Sequence, residues 1–284
     1  MSILYMLSLI KKTRRLKTMK NKTRTSKNGG ARASYKYKSK SKPTTNTSIK
    51  DLPEDVMKYS MGFIRHALDD RSIRKAVKDY FEGGPKKKAV IEKYGKIENW
   101  DTSRVTDMSN LFAYSKFTGI NSDINEDISK FNEDITKWDV SNVTTFAGMF
   151  YYSVNFNQDI SKWNTSNVAR MNSMFKGARS FNQPIGEWDV SNVTNMSNMF
   201  DSAVKFNRPI NKWDISNVTN MKNMFSAALN FNKRLTTWGN KLPRNADVSY
   251  MFSYNIKPDI LKKIAPWLFY RKNSNILNYQ FNRL

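Results

Sequence analysis

A chain of 284 residues with one histidine, His66, and no cysteine has few routes to covalent or metal chemistry. Disulfides, thiolate zinc sites, a cysteine nucleophile and a cysteine-linked lipid are ruled out, and a single imidazole gives little basis for a histidine metal site or a catalytic triad. Carboxylates remain. Their most suggestive arrangement is Asp123-Ile-Asn125-Glu-Asp127 with Asp134 at the twelfth position, the opening of a calcium-loop spacing, but Ile128 stands where such a loop needs glycine. No spacing brings an acid, a base and a nucleophile together, so the expectation is a protein that is not an enzyme, with no catalytic residue, metal or cofactor. The sequons Asn192-Val-Thr194 and Asn217-Val-Thr219 recur because a turn recurs, and they predict no glycan.

Charge is the other chemical resource, and it is unevenly spread. Lys and Arg number 48 against 24 Asp and Glu, a net charge of +24, and residues 1–50 hold 15 of the cations and no acid. The stretch KNKTRTSKNGGARASYKYKSKSK has too little apolar area to offset the entropy of ordering, so residues 1–50 read as a disordered basic tail. Lys11, Lys12, Arg14, Arg15, Lys17, Lys36, Lys38, Lys40 and Lys42 are its candidate polyanion-binding residues, which makes nucleic acid a partner through residues 11–42. The opening MSILYMLSLI is shorter than a membrane span and precedes its positive charges, unlike a secretory signal. Met19 is an alternative start.

The next elements are helical. Residues 51–97 read as an N-terminal cap, with a first helix capped by Asp51 over Val56 to Ala67, a second from Ser72 with Ile73, Ala76, Val77, Tyr80 and Phe81 on one face, and a third over Lys87 to Lys93. Gly83-Gly84-Pro85 separates the last two. At the far end, residues 258–284 form a closing cap, with Leu261, Ile264 and Leu268 inward from Pro258 and with Trp267 packed there.

Between the caps the tryptophans expose a period. Trp138, Trp163, Trp188, Trp213 and Trp238 are 25 residues apart. Residues 98–257 therefore read as six coils, of which FNQPIGEWDVSNVTNMSNMFDSAVK, residues 181–205, is a clean example. Val193, Met196, Met199, Phe200 and Ala203 have the spacing of a helical stripe, and Ile185 to Trp188 reads as a short parallel strand. The asparagines after each corner phenylalanine, Asn157, Asn182, Asn207 and Asn232, are expected to stack as a ladder that satisfies backbone groups at the turn. The recurrent Met, Phe and Trp are expected in a continuous core. The first coil is longer by 13 residues, where NEDISKF precedes NEDITKW as a local duplication, and the last by two.

WDVSNVTNMSNMF at Trp188 to Phe200, WDTSRVTDMSNLF at Trp100 to Phe112 and the linkers of the form FN-x-x-I-x-x-W resemble the BspA-like leucine-rich-repeat family, in the 25-residue form of mycoplasma lipoproteins and of protist and large DNA virus genomes. IRKAVKDYF and YGKIENW resemble the segment that precedes those repeats. The resemblance implies a right-handed α/β repeat solenoid of short parallel strands and short helical turns, and a non-catalytic protein-interaction scaffold. Its partner would be a protein, with Ser161, Lys162, Gly186, Glu187, Asn211 and Lys212 as the candidate partner face. The chain lacks a lipobox cysteine, which speaks against the surface-lipoprotein role and for an intracellular or virion location, and its abundant Lys and Asn with a basic tail suit a giant-virus or protist source. LPEDV at Leu52 to Val56 is similar to the opening of an F-box, which would imply a ubiquitin-ligase substrate adaptor.

Overall fold

The structure, a computed structural model, describes residues 66–114, 126–252 and 256–271. The proposed tail, the Asp51-capped helix up to residue 65, the F-box-like LPEDV and the C-terminal residues 272–284 lie outside the described residues. Chain contacts divide the protein into two units, 1–51 and 52–284, and all described residues belong to the second.

Its first elements are helices α1 (Asp70–Glu82) and α2 (Gly84–Tyr94). Helix α1 starts two residues before the expected Ser72, because Asp69 caps it: Asp69 Oδ1 accepts from Ser72 N at 2.8 Å while Ser72 Oγ accepts from Asp69 N at 2.8 Å. Ile73, Ala76, Val77 and Tyr80 are buried as their spacing predicts. Gly83 and Gly84, at φ of 78° and 52°, make the break.

The repeat region corrects the expected fold. Among the described residues there is no β-strand, only isolated parallel bridges joining Asp107, Thr145, Arg170, Asn195, Asn220 and Asp247 in turn. Ile185–Trp188, expected to be a strand, is a turn closed by Trp188 N donating to Ile185 O at 3.2 Å. The expected helix over Val193–Ala203 is absent too. A strand-based leucine-rich-repeat solenoid is therefore not this structure.

The reason lies in the backbone. Asn198 and Ser202 are left-handed, at φ of 56° and 59°, and a residue in that region breaks the helical bond pattern every four positions. Met199, Asp201 and Ala203 instead donate three residues back, to Met196, Asn198 and Phe200. The alternate N–H groups, of Met196, Asn198, Phe200 and Ser202, cross to the carbonyls of Asn220, Lys222, Met224 and Ser226 at 2.7–2.9 Å. Each 25-residue unit is thus a chain of tight turns whose alternate donors over 196–202 point to its successor, while Thr194 and Lys205 donate back to Ala169 O and Arg179 O of the preceding unit. Val193, Met196, Met199, Phe200 and Ala203 are still fully buried. A helical stripe and this turn series place the same residues inward, so periodicity alone could not separate them.

The core is a column of aromatic rings. The last phenylalanine of a unit stacks on the corner phenylalanine that opens the next at 3.7–4.2 Å, as in Phe150–Phe156 and Phe225–Phe231, and Phe175 lies 5.7 Å from its equivalent Phe200. Tryptophan indoles add hydrogen bonds between units: Trp188 and Trp213 donate Nε1 to Ile160 O and Ile185 O, both at 3.1 Å. In the first unit Phe112 stacks on Phe131 at 3.8 Å, so the extra residues fall between them, and Ile128 from the duplicated piece is buried.

Both ends of the column are closed by side chains that imitate a neighbouring unit. At the start, Arg74 of α1 donates to Ser109 O at 2.6 Å and to Asp107 O at 3.3 Å, carbonyls that have no preceding unit. At the finish, Trp267 donates Nε1 to Leu235 O at 2.8 Å, the bond that a further unit's tryptophan would make. The two extra residues of the last unit fit a short helix α3 (Trp238–Lys241). Gly239 replaces the Asp or Asn that follows tryptophan elsewhere, because a Cβ there would lie 2.7 Å from Trp267 Cβ. Helix α4 (Pro258–Ile264) and a 3₁₀ turn (Pro266–Tyr270) bury Leu261, Ile264 and Leu268 as their spacing predicts.

Candidate binding surfaces

Three polar columns run along the units. Asn157, Asn182, Asn207 and Asn232 donate backbone N–H to Oδ1 of Asn132, Asn157, Asn182 and Asn207 at 2.8–3.1 Å, which is the expected asparagine ladder. A second asparagine column, unforeseen, carries Asn142, Asn167, Asn192 and Asn217, whose Nδ2 groups donate to Ser103 O, Ser141 O, Ser166 O and Ser191 O at 2.6–2.8 Å. The third consists of turns in which Asp139 or Asp189 accepts from the hydroxyl and then the N–H of Ser141 or Ser191, holding each carboxyl below the usual carboxylate range. These columns commit their polar atoms to the fold.

No catalytic constellation emerges from the described residues. None of their His, Cys, Asp and Glu form a group of three or more able to hold a metal ion. Asp127 pairs with Lys130 at 2.9 Å and Asp134 accepts from Thr136 N and Oγ1, while Asp123 and Asn125 lie outside the described residues. Tyr80 is pushed up to about 12 by burial and by the Glu133 carboxylate that accepts its hydroxyl at 3.2 Å. It stays a neutral hydrogen-bond donor. The Met, Phe and Trp columns are buried and offer no aromatic face for stacking a base.

The candidate partner-face residues fall in one column, on turns and not on strands. Ser161 N donates to Asp159 Oδ1 at 3.0 Å, Gly186 lies against Pro209 O, and Asn211 O accepts from Thr237 Oγ1 at 2.8 Å. Lys162 is exposed, whereas Lys212 is tied to Glu187 at 2.6 Å. Alternating sign makes this column a poor surface for a uniformly charged ligand. Lys11, Lys12, Arg14, Arg15, Lys17, Lys36, Lys38, Lys40 and Lys42 lie outside the described residues.

What sequence reasoning missed is the charge gradient inside the repeat. Residues 98–204 carry 8 Lys and Arg against 13 Asp and Glu, and residues 205–271 carry 12 against 3. Leu235 N donates to Ile264 O at 2.7 Å, so α4 with Lys262 and Lys263 sits beside Lys233 and Arg234. Arg234, Lys257, Lys262 and Lys263 are exposed, and these four and Lys233 form no ion pair among the described residues. A running charge count along the sequence carries this signal.

No helix among the described residues is long and apolar enough to cross a membrane. A family model described as "Mycoplasma protein of unknown function, DUF285" matches residues 86–186 and 121–238, which together span 153 of the 284 residues. The chain belongs to that family over this span, and the match leaves both ends uncovered. The BspA-like leucine-rich-repeat resemblance does not survive beside the absence of strands among the described residues, and the scaffold function inferred from it falls with the fold it needed. No curated protein and no solved structure matches the chain.

Proposed function

We propose that this protein is a non-enzymatic binder of nucleic acid, docking the phosphate backbone on the cationic C-terminal end of its folded unit. The observation that carries this reading is the bond from Leu235 to Ile264, which sets Lys262 and Lys263 beside Lys233 and Arg234, exposed or half-exposed cations that form no ion pair among the described residues. Like charges held together repel one another, so the cluster costs stability unless a polyanion neutralises it. Phosphates do so with release of condensed counterions, which makes affinity fall steeply with salt. The repeat's Phe and Trp columns are buried, so backbone charge is the main means of recognition, with Tyr270, 89% exposed, the one aromatic ring open to a base at this end among the described residues. The cations of residues 11–42 support the same ligand class.

Binding of a fluorescein-labelled oligonucleotide to the full chain, followed by anisotropy across a salt series, tests it. In the variant K233E/R234E/K262E/K263E the slope of log affinity on log salt should shrink by about one for each phosphate that the protein no longer neutralises. An equal charge change at Lys88, Lys96, Arg104 and Lys137, exposed residues elsewhere, serves as control. Equal slopes for the two variants would reject the C-terminal end as the docking surface.

A further inference from the structure

The turn edge that follows each left-handed corner carries Val154, Arg179, Val204 and Leu229 at one position of four successive units. Their neighbourhood is fixed by backbone bonds between units, with Lys205 N donating to Arg179 O at 3.1 Å and Asn230 N to Val204 O at 3.3 Å. A shallow groove of about 470 Å³ opens there, with Val204, Ala227 and Leu229 as its apolar part and Arg179 and Lys205 at its margin. Leu229 is 53% exposed, the most exposed large aliphatic side chain among the described residues. Arg179 and Lys205 are both exposed and neither forms an ion pair there. Lys176, close by in sequence, is already tied to Asp201 at 2.9 Å.

We propose that this groove binds an acidic peptide segment of a protein partner, its apolar side chain on Val204 and Leu229 and its carboxylates on Arg179 and Lys205. The Arg179 and Val204 carbonyls of the edge are taken up between units, so the peptide is recognised through side chains and not by adding a strand. An apolar floor between two unpaired cations fits an anion carrying an aliphatic side chain better than it fits phosphates, which carry no aliphatic side chain. This site shares no residue with the nucleic-acid cluster, and the two readings can fail separately.

The test uses the full chain and two labelled twelve-residue peptides, one of glutamates with two leucines and one of glutamates alone, at about 0.15 M salt, where long-range attraction to a basic protein is screened. The leucine peptide should bind at least about fivefold more tightly, and L229E or R179E/K205E should each weaken it about tenfold, a loss of about 1.4 kcal/mol. K262E/K263E should leave it within about twofold, since sites that share no partner act independently. Equal binding of the two peptides, or equal loss in all three variants, would mean only general attraction to a basic chain and would overturn the site. Concentration-dependent self-association abolished by L229E, measured by sedimentation, would overturn it in favour of a second copy. Far-ultraviolet dichroism and melting of each variant establish that these exposed substitutions leave the fold intact.

Discussion

Asn182 gives its backbone N–H to Asn157 Oδ1 and receives that of Asn207 on its own Oδ1, so one residue joins three units, its side chain making the bond to the third. Truncation to alanine leaves the Asn207 donor unpaired at a half-buried turn. Asn182→Ala should lower stability by about 1–2 kcal/mol, read from urea unfolding, because a donor removed from water without a partner loses most of its hydrogen-bond energy. Asn182→Asp keeps an acceptor at the same place and should lose much less. An equal loss in both would mean that the amide's value lies outside the ladder. Such residues were legible from the sequence, since a polar side chain repeated beside a buried ring has to satisfy the backbone that turns there.

Among elements, the closing turn shows how one side chain can end a repeat. Trp267 reaches Leu235 O from a 3₁₀ turn, and Gly239 clears the space for it. Arg271 adds guanidinium bonds to Pro243 O and Leu242 O, both at 2.7 Å. Trp267→Ala should destabilise the chain by about 3 kcal/mol, the low end for a large aromatic because the ring is only partly buried. Trp267→Phe should recover most of this and lack about 1 kcal/mol for the indole bond. Thermal melts of the three proteins check it, and a phenylalanine variant no better than alanine would sink the assignment. The sequence placed Trp267 in a cap, but its departure from the 25-residue spacing hid the bond it completes.

Over the whole molecule, Asp139 and Asp189 hold the same turn two units apart, each against its own serine, and their effects on stability add. Asp139 and Asp189 have folded pKa values below the ordinary carboxylate value, through serine hydroxyl and N–H donors. A lowered folded value means the carboxylate's contribution is complete above the unfolded pKa, about 4, and is lost as pH falls through the folded value. The melting temperature should therefore drop below about pH 4. Asn164 already makes the same turn with Ser166, so D139N/D189N should fold and show a shallower acid limb. An unchanged limb would place acid sensitivity elsewhere.

The sequence by itself determined the repeat length, the buried side of each unit, the asparagine ladder, the helices around Ile73 and Leu261 and the positions of both irregular units. These follow from composition and spacing, which fix what must be buried and what must be paired. Only the tertiary structure decided that Val193–Ala203 is a series of turns and Ile185–Trp188 no strand, because that choice depends on where each N–H finds its carbonyl. Asn198 and Ser202 could take a left-handed conformation only with Lys222 and Ser226 of the next unit in place to receive the donors they redirect. The charged surfaces were decided in the same way: Lys233 and Lys262 are distant in sequence and become neighbours through the bond from Leu235 to Ile264.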